Sequence, residues 1–142
     1  MPNSSANPVT GEIEFLVRYA ETDKMQVVYH ANYLVWCEMG RTDLIKRLGR
    51  SYADLEREGV ALAVVDASLR YHGGAKYEDR IRVKTTLQDV RSRSVTFHYL
   101  IENAETGTKL VTATTTLASI NTDGKLIAMP PDLRKALEDA VA

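Results

Sequence analysis

The stretch from Ala31 to Leu48 constrains the fold most, because it contains no proline and repeats apolar residues at helical spacing. Those apolar residues are Leu34, Cys37, Leu44, Ile45 and Leu48. Gly49 follows directly, as a glycine commonly does after a helix. The predicted helix is ~27 Å long at 1.5 Å per residue. In a chain of 142 residues, other elements must wrap around such a helix to bury its apolar side.

Most of the remaining chain alternates apolar and polar residues, which is typical of strands. In the first such segment, 12–20, the residues expected on the buried face are Ile13, Phe15, Val17 and Tyr19. Further strands are predicted within 60–71, 81–87, 95–101 and 110–120, and short helices over 51–59 and 132–141. Strands joined by tight turns pair antiparallel. The sequence therefore predicts an α+β fold, in which one long helix packs against about five antiparallel strands.

Composition narrows the possible functions. The net charge is −1, which argues against a nucleic-acid partner. The single cysteine, Cys37, excludes a disulfide framework and a cysteine-based metal cage, so a reducing cytoplasmic location is expected. No apolar run is long enough to span a membrane. We expect residues 1–10 to form a flexible tail and 11–142 to form one domain.

The segment 18–38 carries the best candidates for chemistry. Asp23 lies in a predicted loop just before the long helix, whose first N–H groups have no partner inside the helix. These amides carry about half a positive charge and can hold a developing oxyanion. A carboxylate facing such a helix end suits hydrolysis of an activated acyl group, although an aspartate there can also simply cap the turn.

The string Asp23-x-x-x-Val-Val-Tyr-His30-x-Asn32-Tyr33 resembles the 4-hydroxybenzoyl-CoA thioesterase-like family of hotdog-fold acyl-CoA thioesterases. The order of elements agrees with that family from about Glu12 to Met129. The resemblance implies a hotdog fold, in which a curved antiparallel sheet wraps the long helix. It also implies hydrolysis of an acyl-CoA thioester to a carboxylic acid and free CoA.

The resemblance also implies catalytic roles. Asp23 corresponds to the catalytic aspartate, which acts as a general base on water or as a nucleophile; the sequence leaves both open. The backbone amide of His30 corresponds to the donor that polarises the thioester carbonyl. One position departs from the family, since Gln26 stands where glycine is usual. Gln26 then either adds a polar group to the pocket or reshapes the loop.

Several other residues are candidates for binding substrate. Those near the acyl group are Gln26, Val28, Tyr29, Asn32, Tyr33 and Glu38. Arg91 and Arg93 are candidates for the phosphates of CoA, because guanidinium groups bind phosphate in bidentate fashion. Structural alternatives stay open: Asn32 bonding the loop backbone, an ion pair between Glu38 and Arg41, and a solvated turn at 91–94.

The leading hypothesis is therefore a cytoplasmic acyl-CoA thioesterase that needs no metal or other cofactor, since CoA is part of the substrate. Alternatives are an acyl carrier protein thioesterase, a hotdog dehydratase using His30 as acid and base, and an acyl-CoA-binding module without turnover. An exposed sheet edge predicts a homodimer. The resemblance extends this to a dimer of dimers, a homotetramer, with sites at the dimer interface.

Overall fold

The computed structural model describes residues 9–141 and shows five strands and three helices. The strands are β1 (Thr10–Leu16), β2 (Ala61–Tyr71), β3 (Arg80–Val90), β4 (Ser94–Asn103) and β5 (Lys109–Ile120). The helices are α1 (Asn32–Arg47), α2 (Tyr52–Arg57) and α3 (Pro131–Asp139). Of the expected tail, residues 1–8 lie outside the described part, whereas Thr10 already belongs to β1.

Local sequence signals explain where the elements begin and end. The predicted long helix is α1, which is followed by Gly49 with a φ of +93°. Ser51 caps α2 by accepting a hydrogen bond from the Asp54 amide at 3.1 Å. The first predicted strand is too long, because the chain leaves the sheet after Leu16 and makes a 3-10 turn over Tyr19–Glu21. Tyr19 is consequently 72% exposed, and its predicted burial is wrong.

The five strands form one antiparallel sheet in the order β1-β3-β4-β5-β2. The register slips between Val64 and Asp66 in β2 and between Leu87 and Asp89 in β3. Such bulges bend a strand and increase its twist, so they help the sheet to curve around the helix. β1 and β2 are the two edge strands.

Helix α1 packs against β1, β3 and β4. The residues between α1 and the two inner strands are buried, whereas Ile13 and Phe15 of β1 are partly buried. The helix approaches β3 most closely at Gly40. A Cβ atom built on Gly40 would lie 2.4 Å from the Thr85 Oγ1 and 3.0 Å from a Val83 methyl carbon. A glycine is therefore required where α1 crosses β3. Within residues 9–141, no helix is long and apolar enough to cross a membrane.

Candidate active site

The loop that carries Asp23 is a tight hairpin. The Asp23 amide donates to the Val27 carbonyl at 2.8 Å, and the Gln26 amide donates to the Asp23 carbonyl at 2.9 Å. Gln26 has a φ of +67°, a left-handed conformation that favours glycine. This arrangement is a three-residue hairpin loop with a bulge at its last residue. Gln26 thus occupies a position whose backbone suits the glycine usual in the family.

The Asp23 side chain is exposed and has one oxygen engaged. Its Oδ1 accepts a hydrogen bond from the Met25 amide at 2.8 Å. This contact confirms that Asp23 caps its own turn. Among the hydrogen bonds of residues 9–141, none uses its Oδ2. One carboxylate oxygen therefore fixes the loop while the other is available to a substrate or a water molecule.

Glu21 holds this loop against α1, a role that the sequence analysis missed. Its carboxylate accepts a hydrogen bond from the Arg18 amide and another from the Trp36 indole, both at 2.8 Å. Burial opposes ionisation of Glu21, but these bonds and the Arg18 guanidinium together lower its pKa. Its backbone carbonyl also accepts from the Tyr29 amide at 2.9 Å. The only signal in the sequence was an acidic residue three positions after an arginine.

The start of α1 presents two free amides. The amides of Asn32, Tyr33 and Leu34 donate to carbonyls three residues earlier, at 2.9–3.3 Å. The amides of His30 and Ala31 make no hydrogen bond within the described part of the chain. The His30 carbonyl is held by the Tyr71 hydroxyl at 3.3 Å. The His30 amide, which is predicted to polarise the thioester carbonyl, is therefore one of the two amides without a hydrogen-bond partner.

Backbone pairing in the hairpin sets the distance between Asp23 and the free amides of His30 and Ala31. Thr22 pairs with Val28, and Tyr29 bonds to Glu21 one step further along. Asp23 therefore lies about three residue steps from His30 along the hairpin, or roughly 10 Å between backbones at 3.3 Å per step. The structure brings both predicted catalytic residues to one end of the molecule.

The other predicted acyl-site residues divide by burial. Tyr29 is 50% exposed, and its ring lies 4.5 Å from the His30 ring. Val28 and Tyr33 are buried, and the Tyr33 hydroxyl accepts from the Ala75 amide at 3.0 Å. The Asn32 side chain donates to the Glu21 carbonyl at 2.8 Å, which confirms its structural alternative. Substrate contact by these residues stays a prediction.

Glu38 lies on the surface of α1, and 66% of its side chain is exposed. Its carboxylate is 3.8 Å from the guanidinium of Arg41, which confirms the predicted ion pair within the helix. Glu38 also lines a groove between α1 and β2, together with Leu34 and Val64. The ion pair and a place beside the groove are therefore compatible.

Arg91 and Arg93 lie far from Asp23 in the same chain. They belong to the turn between β3 and β4, whereas the Asp23 loop adjoins the opposite end of β3, where Leu16 pairs with Arg80. That separation is about 30 Å along the strand. Arg91 instead pairs with Asp89 at 2.9 Å, with its side chain 77% exposed. Within one chain, the structure does not bring these arginines to the site.

The chain is similar to known proteins in both sequence and fold. The family model of the thioesterase-like superfamily matches residues 17–137. The putative acyl-CoA thioesterase YneP of Bacillus subtilis is 48% identical over 90 residues. That alignment covers 63% of this chain and 65% of the relative, so it spans slightly less than two thirds of the relative's length.

Two solved structures have the same architecture. A DHNA-CoA thioesterase from Staphylococcus aureus superposes with a TM-score of 0.86 at 36% identity, covering 91% of this chain and 89% of that one. A 1,4-dihydroxy-2-naphthoyl-CoA thioesterase from Synechocystis gives 0.85 at 26% identity, covering 92% and 97%.

The curved sheet around a long helix defines a hotdog fold, as the resemblance implied. The chain belongs to the thioesterase-like superfamily.

Proposed function

We propose that this protein is an acyl-CoA thioesterase, which hydrolyses a thioester to a carboxylic acid and free CoA. One observation carries the proposal. The free amides of His30 and Ala31 at the start of α1 lie about three residue steps along the hairpin from Asp23, whose carboxylate has an unused oxygen. The names of the relatives support the same reaction, and DHNA-CoA heads the panel of substrates to test.

In the proposed reaction, the thioester carbonyl lies between the helix amides and Asp23. As a general base, Asp23 takes a proton from water while the water oxygen bonds to the carbonyl carbon. The carbonyl electrons move to the oxygen, and the His30 amide stabilises the resulting oxyanion. Collapse of this intermediate breaks the carbon–sulfur bond, and the CoA thiolate leaves and takes up the proton. If Asp23 is a nucleophile, its oxygen displaces the CoA thiolate from the carbonyl carbon and forms a mixed anhydride. Water then hydrolyses the anhydride, which frees Asp23 and the carboxylic acid and supplies the proton for the thiolate.

Replacing the acid tests this function. We expect Asp23→Asn to lower kcat for acyl-CoA hydrolysis by about 10²- to 10⁴-fold with little change in KM, since the loop remains capped while the base is lost. Release of free thiol from a panel of acyl-CoA thioesters measures both constants. Asp139→Asn, an exposed aspartate in α3, is the matched control and should keep full activity.

Three results would change the proposed site, carrier or reaction. Wild-type turnover by Asp23→Asn would reject the proposed site. Faster hydrolysis of the same acyl group on acyl carrier protein would identify a different carrier. Loss of a hydratase activity in His30→Ala, with Asp23 intact, would indicate a dehydratase.

We also propose that two copies of the chain pair along β2, alone or as a dimer of dimers. β2 is an edge strand with no residue in the buried class, and its exposed side chains include Val64 and Val65. Leu34, Val35 and Met39 on α1 are also 41–46% exposed. An unpaired edge beside apolar side chains favours association.

Light scattering after size-exclusion chromatography tests the pairing. The wild-type mass should be two or four times 15.8 kDa. Val65→Glu should reduce the mass, because it places a charge on the paired edge, whereas Leu16→Glu on the opposite edge strand should leave it unchanged. A wild-type mass of one chain would contradict the proposal.

A further inference from the structure

Tyr71 is the last residue of β2, and its side chain lies against the start of α1. Its hydroxyl donates a hydrogen bond to the His30 carbonyl at 3.3 Å. Its ring meets the Tyr33 ring edge-on, with the two centroids 5.6 Å apart. Tyr33 is itself fixed, because it is buried and its hydroxyl accepts from the Ala75 amide. The Tyr71 side chain is thus held from two sides, although the residue is half exposed.

The hydrogen bond from Tyr71 reaches the peptide group that joins His30 to Ala31. This peptide is trans, so its carbonyl and its N–H point in opposite directions. The same carbonyl also accepts from the Tyr33 amide at 3.3 Å. Because two donors fix the carbonyl, they also fix the direction of the Ala31 N–H, which makes no hydrogen bond within residues 9–141.

The preceding peptide, between Tyr29 and His30, is fixed in a similar way. The Tyr29 carbonyl accepts from the Asn32 amide at 2.9 Å, and the His30 N–H lies on the other side of that peptide. Ala31 has helical backbone angles, with φ −67° and ψ −21°. Consecutive amides of a turn can face one side and share an anion. The Ala31 amide is therefore placed as a second donor beside the His30 amide.

We propose that Tyr71 is a positioning residue, which holds the peptide between His30 and Ala31 so that the Ala31 amide joins the His30 amide in binding the oxyanion. The inference rests on the proposed thioesterase function. The Tyr71 hydroxyl acts through the peptide and does not touch the substrate. A hydrogen bond to a carbonyl polarises its peptide and makes the N–H a stronger donor. It also fixes the donor in place before negative charge develops on the thioester oxygen.

Tyr71→Phe tests the role of the hydroxyl, since phenylalanine keeps the ring contact with Tyr33. We expect kcat and kcat/KM for acyl-CoA hydrolysis both to fall about ten-fold with KM unchanged, because the contribution is made in the transition state. The dependence of kcat on pH should keep its shape, because Tyr71 gives no proton to the reaction. Tyr77→Phe is the matched control and should keep the wild-type kcat, since Tyr77 is 49% exposed and packs its ring against Tyr19.

An ester in place of the Ala31 amide tests the second donor directly. Lactic acid, introduced at position 31 by nonsense suppression, replaces the N–H with an oxygen atom and keeps the methyl side chain. This variant should lose about 10²-fold in kcat. Adding Tyr71→Phe to it should cause little further loss, because the N–H through which the hydroxyl acts is gone. The same ester at Ala53, in the first turn of α2, is the control and should keep full activity.

Infrared spectroscopy measures the polarisation of the thioester carbonyl itself. The probe is the acyl-CoA of the panel that the wild-type protein hydrolyses fastest, labelled with ¹³C at the carbonyl and bound to the slow variant Asp23→Asn. Its carbonyl stretch should lie at lower frequency than in water. Adding Tyr71→Phe should reverse part of that shift without changing Kd, whereas a purely structural role would leave the frequency unchanged.

The results separate this inference from the proposed function. If the wild-type protein hydrolyses acyl-CoA but Tyr71→Phe keeps kcat within about two-fold, the inference fails and the thioesterase proposal stands. If the wild-type protein hydrolyses no thioester, both fail. A rise in KM alone would show that the hydroxyl contacts the substrate, and a changed pH profile would make it a proton donor; either result overturns the inference. Should Tyr71→Phe not fold, the ester at position 31 decides the question, and full activity of that variant overturns the inference.

Discussion

Two faces of α1 differ in how they are packed. The packed face, Tyr33, Trp36, Gly40 and Leu44, lies against the sheet and is almost free of solvent. The open face, Leu34, Val35, Glu38 and Arg41, borders the groove between α1 and β2. Gly40 and Arg41 are adjacent in sequence, yet Gly40 lies against β3 with no room for a Cβ atom, whereas Arg41 borders empty volume. One face of the helix therefore holds the fold together, whereas the other face borders open volume next to the proposed site.

The largest expected effect is on the packed face, where Glu21 anchors the first turn through Trp36. Glu21→Gln should lower the free energy of unfolding by about 2 kcal/mol, because the single amide oxygen can accept from only one of two donors, the Arg18 amide and the Trp36 indole. The other donor then faces the NH₂ group of the glutamine. Thermal and urea unfolding measure the loss.

The pH dependence of that loss identifies the ionised form as the cause. The folded-state pKa of Glu21 lies below its ordinary value, so its contribution is present above about pH 4.5 and declines as pH falls through the folded pKa. The difference between wild type and Glu21→Gln should therefore shrink in acid. A difference that does not change down to pH 2 would contradict this account.

A smaller loss is expected for Gly40→Ala. The added methyl group must displace Thr85 or move α1 from β3, and the higher helix propensity of alanine offsets part of that cost, so the net loss should be about 1 kcal/mol. Gly74→Ala meets nothing within 4 Å and is the control. Thr85→Ala in the same chain should recover part of the loss. Equal stability of Gly40→Ala and wild type would show that this face also tolerates added volume.

The smallest effect on stability is expected in the groove between the open face and β2. Ala67→Leu adds volume to the groove, so the free energy of unfolding should change by less than about 0.5 kcal/mol. Hydrolysis of bulky acyl-CoA thioesters should nevertheless slow, because the larger side chain fills part of a groove that Leu34 lines near the start of α1. Thermal unfolding and kcat/KM measure the two properties. Ala53→Leu on the exposed side of α2 should alter neither, and unchanged turnover by Ala67→Leu would place the acyl group elsewhere.

Periodicity predicted the fold well where a single pattern dominates. The helix was expected over 31–48 and spans Asn32–Arg47. The later strands lie where alternation or strand-favouring composition predicted them. The predicted burial of Tyr19 is wrong because the alternation of apolar and polar residues continues into a segment where the chain has already left the sheet. The resemblance singled out Asp23 and His30, and the structure brings their segments together.

What the sequence determined by itself is local: the length of α1, the glycine after it, the alternation of the strands and the motif before the helix. These follow from side-chain spacing and backbone preference over a few residues. Only the tertiary structure decided that Glu21 accepts a hydrogen bond from the Trp36 indole. The same holds for the contact of Gly40 with Thr85 where α1 crosses β3, and for the cavity that Arg41 and Tyr52 line together. Each depends on residues distant in the chain, whose contacts are set by how the sheet curves around the helix.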